Sequence, residues 1–441
     1  MLTSILHTLY DLTISPLWNV DVTAVLLTLM PLVLFFEIPM TLFTLLGIIK
    51  YRWERSLEGE RQPYFPPVSC IVTCYNEGLD IAKTVISLTE QIYPGAIQIV
   101  LVIDGATINA DTLKTAKSME GWVNSHSNRA LLVVPKWQRG GMVSSANLAL
   151  QFVTGKIIIK VDGDTSFDNN MVERATRHFA DEEVVAVSGC LRVRNADTTV
   201  CAAFQAIEYF IAIHASKTAL SAFNMVNNIS GAFGIFRREL LELVEGWDAG
   251  TAEDLDMTMR IKNYFARAGK TIRIVFDPEA ICFTEVPASL GQYLKQRIRW
   301  EGDFPFVLFK HRHSLSPVFW GWPNFIGGLI TIFTHLVIPA MVFVYMIWLF
   351  HMHRLEFAIA LLIAVYGSYV LMISLIYFLS VCLLSERKTD DLSRVPLLPL
   401  MPLFLLVGKI NGFVAILWEL LGKGHQDSSM APWWVLRKNR F

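Results

Sequence analysis

The order of hydrophobic and polar positions divides the chain into a mixed middle region held between apolar ends. No Asp, Glu, Lys or Arg occurs from Ser314 to His353, and a second charge-free run extends from Phe357 to Ser385. Each exceeds the roughly 20 apolar residues that cross a bilayer, which predicts two membrane-spanning helices. An earlier apolar stretch, Val22 to Ile49, is broken by Glu37 and followed by Lys50, Arg52 and Arg55. It is too long for a signal-peptide core and has no small-residue cleavage site, so it reads as a retained anchor. A fourth stretch, Pro396 to Leu421, carries Pro399, Pro402, Lys409 and Glu419, and spanning, kinking and re-entry all fit it. The basic tail Arg437, Lys438 and Arg440 argues against a simple outward exit. An ionised Lys409 facing lipid costs at least about 2.5 kcal/mol, so it is expected to face the protein interior or a wet cavity, or else to snorkel to headgroups. Glu37 is its candidate partner.

Between the anchors, short apolar runs of strand length alternate with helical stretches. The runs are Val68 to Cys74, Gln98 to Ile103, Leu131 to Val134, Ile157 to Val161 and Val184 to Cys190, and the helical stretches include Leu79 to Gln91 and Gly141 to Val153. Continuous apolar strands interleaved with helices predict a mostly parallel α/β sheet covered on both faces. Such sheets bind ligands at the carboxyl ends of their strands, which says where to search for chemistry.

Composition sharpens this picture. The chain is 53% hydrophobic and 17% charged, with a mean hydropathy of +0.42. A soluble protein carries about a quarter charged residues, so disorder, collagen and a small secreted scaffold are excluded. A simple porin is excluded as well, because residues 56 to 313 read as an ordinary soluble domain. The net charge of −1 gives no basic field, so no nucleic-acid partner is expected. The six cysteines show no Cys-x-x-Cys or Cys/His spacing and are expected to be reduced and buried. Lys310 and Arg312 precede the second span, and Arg387, Lys388 and Arg394 follow the third. With the cluster after the anchor, all three basic groups then lie on one side, which favours the cytoplasmic face.

Polar residues gather where the predicted strands end. Val72-Thr73-Cys74 runs into Tyr75-Asn76-Glu77-Gly78, a cluster able to hold a ribose or base, although Asn and Glu are equally common at helix starts. The next strand ends on Asp104, which puts a second carboxylate on that edge. The fourth ends Asp162-Gly163-Asp164. Alternate residues of an extended segment face one way, so this pair suits magnesium or manganese bridged to a diphosphate; a surface turn is the other reading. Glu253-Asp254-Leu255-Asp256 opens a helix, where acidic residues complement the dipole or, alternatively, take a proton from an acceptor hydroxyl. Gln296-Arg297-Ile298-Arg299-Trp300 lies on an amphipathic stretch before the second span. Its arginine suits diphosphate and its tryptophan a sugar ring, unless both belong to a membrane-interface belt.

The ordered set Tyr75-Asn76-Glu77, Asp104, Asp162-Gly163-Asp164, Glu253-Asp254 and Gln296-x-x-Arg299-Trp300 resembles the processive family 2 glycosyltransferases, among them the cellulose, chitin, hyaluronan and poly-β-1,6-N-acetylglucosamine synthases. The resemblance covers about residues 66 to 310 and implies a GT-A-like cytosolic α/β domain, with a Rossmann-type mixed sheet, inserted between transmembrane helices. The expected layout is an N-terminal anchor over 1–55, the catalytic domain over 56–287, interface helices over 288–313 and a membrane bundle over 314–441. By resemblance, Tyr75, Glu77, Asp104, Asp162 and Arg299 hold the nucleotide sugar, and Asp162 with Asp164 binds Mg2+ or Mn2+. Asp254 is then the general base, while Gln296, Trp300, Glu253, Ser230 and Gly231 line the acceptor site. The implied reaction is inverting, processive transfer from a UDP-sugar, UDP-N-acetylglucosamine before UDP-glucose, to a growing β-linked polysaccharide exported across the plasma membrane. A small accessory membrane subunit is a possible partner, and with no cyclic-dinucleotide domain appended, such control would need another subunit. Two departures stand out: Arg139-Gly140-Gly141-Met142 lacks the lysine that often follows the glycines, and Ala252 replaces a usual threonine. A non-processive enzyme acting on a lipid carrier, and a transporter or scaffold with an inert nucleotide-binding domain, are the alternatives.

Overall fold

The computed structural model describes residues 32–59, 63–248 and 252–422. The start of the first apolar stretch, Val22 to Pro31, and the basic tail Arg437 to Arg440 lie outside the described residues. An eight-stranded sheet in the order β3-β2-β1-β4-β7-β6-β8-β5 forms the frame of the middle region. The five expected strands are present as β1 (Val68–Cys74), β2 (Ile97–Asp104), β3 (Arg129–Lys136), β4 (Ile157–Asp162) and β6 (Val184–Val193). Three more were not anticipated: β5 (Ser166–Phe167), β7 (Phe233–Arg237) and β8 (Arg273–Thr284). They supply the antiparallel part of the mixed sheet that the resemblance implied, where the apolar runs alone predicted a mostly parallel one. β3, β2, β1 and β4 are mutually parallel, but β7 runs antiparallel to both β4 and β6, and β5 antiparallel to β8, so the sheet is mixed.

Burial on both faces explains the continuous apolar runs. Along β1, Val68, Cys70, Val72 and Cys74 enter one core while Ile71 enters the other, as the two-residue period of a strand requires. Helix α1 (Ile81–Thr89) covers the first face with Ile81, Val85 and Leu88, spaced three and four residues apart. Helix α2 (Gly141–Leu150) covers the second with Ala146 and Ala149.

Four helices among the described residues are long and apolar enough to cross a membrane: Val33–Leu57, Trp322–Met352, Leu355–Leu383 and Val395–Gly422. In the last of these, Pro399 sits in a 3₁₀ segment, Val395–Leu400, and Pro402 lies at the start of the following α-helix, where a missing N–H costs no internal hydrogen bond. The segment therefore runs long enough to span despite its prolines. All three basic clusters touch the sheet domain: Arg55 pairs with Glu279 (3.3 Å), Lys310 with Asp248 (2.9 Å), and Arg387 and Arg394 with Asp168 (3.3 Å) and Asp197 (3.0 Å). The six cysteines are free; Cys70, Cys74, Cys190 and Cys282 are buried, Cys201 is half-buried, and Cys382 departs from expectation by lying exposed on a membrane-helix surface.

Candidate active site

The sheet register assembles the site. Thr73 pairs with Asp162 and Cys74 with Ile103, so β1, β4 and β2 end together and bring Tyr75, Asp104 and Asp162 to one edge. Because β7 is antiparallel to β4, with Val161 opposite Phe233, the segment preceding β7 arrives at that same edge. Ser230 and Gly231 thereby meet the Asp162 region. Helix α3 (Glu253–Arg267) then presents Glu253 and Asp254 to it from the first turn.

On one side lies the Tyr75 turn. Asn76 and Gly78 both adopt left-handed backbone (φ 70° and 58°), a conformation Asn and Gly tolerate, and this turns Glu77 back over the strand ends. The Arg139 guanidinium stacks on the Tyr75 ring at 4.1 Å. Asp104 is buried, and its oxygens accept from Lys136 Nζ (2.7 Å) and from the N–H groups of Gly140 (2.9 Å) and Gly141 (2.8 Å). It therefore pins the Arg139-Gly140-Gly141 loop to the sheet edge. Gly163 is required by close approach: a Cβ there would stand 2.9 Å from Cys74 Sγ and 3.1 Å from Glu77. Burial, followed by the neighbouring Asp162 charge, pushes the Asp164 carboxyl up to about 6. Burial likewise pushes Glu77 up to about 7, with Asp164 and Asp162 adding to it, and its Oε2 is buried with no hydrogen-bond partner among the described residues. Three carboxylates, Glu77, Asp162 and Asp164, thus line this edge of the cavity.

On the other side Asp254 is held by three donors. Its Oδ2 accepts from Gly231 N (3.1 Å) and Asn228 Nδ2 (3.2 Å), and its Oδ1 from Leu255 N (2.7 Å). Gly231 packs so closely that a Cβ would meet Glu253 Oε1 at 2.7 Å and Asp254 Oδ2 at 3.4 Å. Burial pushes Glu253 up to about 7, with Lys160 opposing and Asp254 reinforcing the shift. Ala252 begins the helix in left-handed backbone (φ 48°) and supplies no side-chain cap. One turn on, Asp256 is fully buried and pairs with His311 Nε2, Lys310 Nζ (both 2.9 Å) and Arg260 Nε (2.8 Å). Burial alone would raise its pKa, but His311, Lys310 and Arg260 outweigh that and hold it well below the usual carboxylate range. This cluster fastens α3 to the end of α4 (Leu290–Lys310), the helix that carries Gln296, Arg299 and Trp300.

These three residues line the same cavity as the carboxylates. Arg299 makes no hydrogen bond or ion pair within the described residues, whereas Arg297 is committed to Glu208 (2.7 Å) and stacks on Trp300 at 4.6 Å. Gln296 Oε1 and Asn228 Oδ1 are buried acceptors without partners among the described residues. The cavity, about 1290 Å³, continues between the membrane helices and reaches Glu37 and Lys409. Lys409 faces this space and donates to the Thr334 carbonyl (3.1 Å), while Glu37 accepts from Tyr369 (3.1 Å). All the residues expected at the site, Tyr75, Glu77, Asp104, Asp162, Asp164, Ser230, Gly231, Glu253, Asp254, Gln296, Arg299 and Trp300, line this one cavity. Sequence reasoning missed Asn228 and Lys160, which also line it. The signal for Lys160 was available, since an ammonium group inside the apolar run Ile157 to Val161 has no packing rationale.

Comparison with known proteins bears on this assembly. The family described as "Glycosyltransferase like family 2" matches residues 66–302, more than half of the 441 residues. The chain is 27% identical over 248 residues to an N-acetylglucosaminyltransferase of Rhizobium sp. (strain N33), covering 54% of this chain and 52% of that protein. It is 26% identical over 277 residues to the poly-beta-1,6-N-acetyl-D-glucosamine synthase of Staphylococcus epidermidis, covering 60% and 63%, and 27% identical to the hyaluronan synthase of Streptococcus pyogenes, covering 55% and 58%. The match thus spans between half and two-thirds of each of these relatives. Among solved structures, a mannosyltransferase from Pyrobaculum calidifontis in complex with GDP-Man and Mn2+ is similar in fold, with a TM-score of 0.53 at 21% identity, over 88% of this chain and 98% of that one. The mixed sheet with its carboxylate-lined edge is accordingly a GT-A-like fold, and the chain belongs to glycosyltransferase family 2.

Proposed function

We propose that the protein is a hexosyltransferase that moves a sugar from a UDP-sugar to the end of a growing β-linked polysaccharide and passes the polymer into the membrane. The observation that carries this reading is the single cavity running from the carboxylate edge of the sheet to the space between the membrane helices. A lipid-facing or purely structural bundle has no use for Glu37 and Lys409 on such a wall, whereas a hydroxyl-rich chain pairs with both. The orphaned acceptors Glu77 Oε2, Asn228 Oδ1 and Gln296 Oε1 suit the same kind of ligand, because sugar hydroxyls donate to them.

Tyr75, with Arg139 stacked on it, and the loop pinned by Asp104 form the nucleoside side. Asp162 and Asp164 would hold a divalent cation. Among the described residues no three His, Cys, Asp or Glu side chains form a complete metal site. Two carboxylates nevertheless fit magnesium or manganese, which take the remainder of their ligands from substrate phosphate and water. When bound, the ion neutralises charge on the departing diphosphate.

The chain's own residues supply the rest. Asp254, oriented by Gly231, Asn228 and Leu255, accepts the proton of the acceptor hydroxyl. That oxygen bonds to the anomeric carbon as the bond to UDP breaks from the opposite face, which inverts the centre. Arg299 pairs with the diphosphate, and Trp300 and Gln296 seat the terminal sugar of the acceptor. The names of the relatives favour N-acetylglucosamine as the transferred sugar. Arg55, Lys310, Arg387 and Arg394 all contact the sheet domain, which supports a cytoplasmic catalytic domain in a multi-pass plasma-membrane protein.

The test is to incubate the purified, detergent-solubilised protein with one UDP-sugar at a time, measure UDP release and size the product. A polymer made from UDP-N-acetylglucosamine alone is expected. A single sugar recovered on extractable lipid would establish the non-processive alternative, and no turnover of any UDP-sugar would refute the donor class.

A further inference from the structure

Lys160 is a charged residue inside an otherwise apolar core strand. It lies inside β4, opposite Ile71 of β1 and Gly234 of β7, and its side chain is 2% exposed. Its ammonium group reaches four segments at once. It donates to the Gly231 carbonyl, lies 3.2 Å from Asp162 Oδ1 and 3.7 Å from Glu253 Oε1, and touches Met142 Sδ, at the start of α2, at 3.1 Å. Burying an ammonium is costly, and replacing a whole buried ion pair by apolar residues of similar volume is often neutral or stabilising. Stability therefore does not account for a lysine here.

Its contacts point elsewhere. Asp162 belongs to the donor side of the cavity, whereas Gly231, before β7, and Glu253, at the start of α3, flank Asp254, to which the Gly231 N–H donates. Lys160 is the group that ties the two together. Met142 adds a second fact: its sulfur is an uncharged neighbour in contact with the ammonium, and a lysine at 142 would carry its nitrogen two bonds beyond the sulfur position, into the same space. Positions 142 and 160, on α2 and β4, are thus two attachment points for one charge.

We propose that Lys160 is a positioning residue that fixes the donor-side carboxylate Asp162 against Gly231 and Glu253, and that a lysine carried at position 142 replaces it. The inference rests on the glycosyl-transfer reading of the cavity. It does not depend on the donor, since any nucleoside-diphosphate sugar that the wild type turns over serves for the test.

Three variants are compared with the wild type by kcat and KM and by thermal unfolding in detergent. Lys160→Met is expected to lose about a hundredfold in kcat/KM, the scale for a reacting group misplaced by about 1 Å, and to lower the unfolding midpoint, because Glu253 is left buried without its partner. Met142→Lys alone is expected to lose at least about tenfold, because two ammonium groups then compete for one point. The double variant Lys160→Met/Met142→Lys is expected to recover at least about tenfold over Lys160→Met, which a merely structural lysine would not produce. Activity of Lys160→Met within about threefold of wild type, a neutral Met142→Lys, or a double variant no better than Lys160→Met would each overturn the proposal. If Lys160→Met does not fold, the other two decide: a folded, active double variant supports the charge at either position, and an inactive one overturns it. Failure of UDP-N-acetylglucosamine as donor alongside turnover of another nucleotide sugar counts against the donor assignment and leaves this comparison intact.

Discussion

Replacing Gly231 by alanine isolates the acceptor side of the cavity with a single added methyl group. The backbone at 231 is outside the left-handed region, so alanine fits the chain there and the effect comes from contacts alone. The new Cβ would stand 2.7 Å from Glu253 Oε1, 3.3 Å from Asp254 Cβ and 3.4 Å from Asp254 Oδ2. The two Asp254 contacts are tight but tolerable. The Glu253 contact is not, and relief requires its carboxylate to retreat by several tenths of an ångström or the turn to shift by as much. Glu253 is already 3.7 Å from Lys160, so retreat loosens that pair, while a shift of the turn lengthens the 3.1 Å bond from Gly231 N to Asp254. Overpacking of this kind costs about 1–3 kcal/mol, and misplacement of a reacting group by about 1 Å costs on the order of a hundredfold in rate. Gly231→Ala should accordingly lower kcat by about ten- to a hundredfold, with UDP affinity changed by less than about twofold. Coupled UDP release gives kcat, and calorimetry gives the affinity. Gly163→Ala is the matched control, since its Cβ would strike Cys74 Sγ at 2.9 Å and Glu77 at 3.1 Å and should raise the donor KM instead. Wild-type kcat in Gly231→Ala, or an equal loss of UDP binding in both alanine variants, would refute the division of the cavity into donor and acceptor sides.

Asp254→Asn should lower turnover by about two to four orders of magnitude and keep UDP binding, the scale for a lost general base; near-normal polymer synthesis would remove Asp254 from the mechanism. Asp164→Ala should abolish the metal dependence of donor binding, and wild-type turnover that survives exhaustive chelation would end the metal assignment. Trp300→Ala should impair elongation more than hydrolysis of the UDP-sugar, because the ring faces the acceptor; equal losses would make it a structural tryptophan. Burial pushes Lys262 down to about 7, against an unfolded value of about 10.4. Between those values the unfolded chain holds more protons, so this group makes the fold more stable as pH rises from about 7 to about 10. Lys262→Met should flatten that rise in the thermal midpoint, and identical slopes in both proteins would show that Lys262 does not carry it.

The parallel half of the sheet was legible because strands buried on both faces leave an uninterrupted apolar run. Val68–Cys74 and, after Gln98, Ile99 to Ile103 carry only apolar or small side chains, and polar residues mark their ends. The antiparallel insertions were not legible. β7, Phe233–Arg237, is broken at its second position by Gly234, which interrupts the apolar run. β8 carries Asp277-Pro278-Glu279 in its middle, where a register shift against β6 admits a buried Asp277 that pairs with Arg177 (3.0 Å) and His178 (2.7 Å). A pattern read residue by residue sees three strand-breaking positions there, and only the partners from a distant turn make them a strand.

The site divides along the same line. Tyr75, Asp104, Asp162 and Asp164 follow directly from strand ends, so a sequence that reveals its strands reveals them as well. Ser230 and Gly231 were expected from resemblance alone, and their reason is topological: only an antiparallel β7 beside β4 delivers the residues before Phe233 to that edge. Asn228 and Lys160 depend on the same pairing. Asn228 reaches Asp254 because the segment before β7 crosses the start of α3, and Lys160 reaches Gly231 because the turn passes over the end of β4. Had β7 joined the sheet in parallel, its opposite end would lie at this edge, and Lys160 would be a buried charge with neither the Gly231 carbonyl nor an oriented Glu253 to compensate it. The cost of a poorly compensated buried ammonium therefore makes this lysine bear on topology as well as on chemistry: the mixed sheet adds the Gly231 carbonyl and Glu253 to the Asp162 partner on its own strand, which the all-parallel one would not.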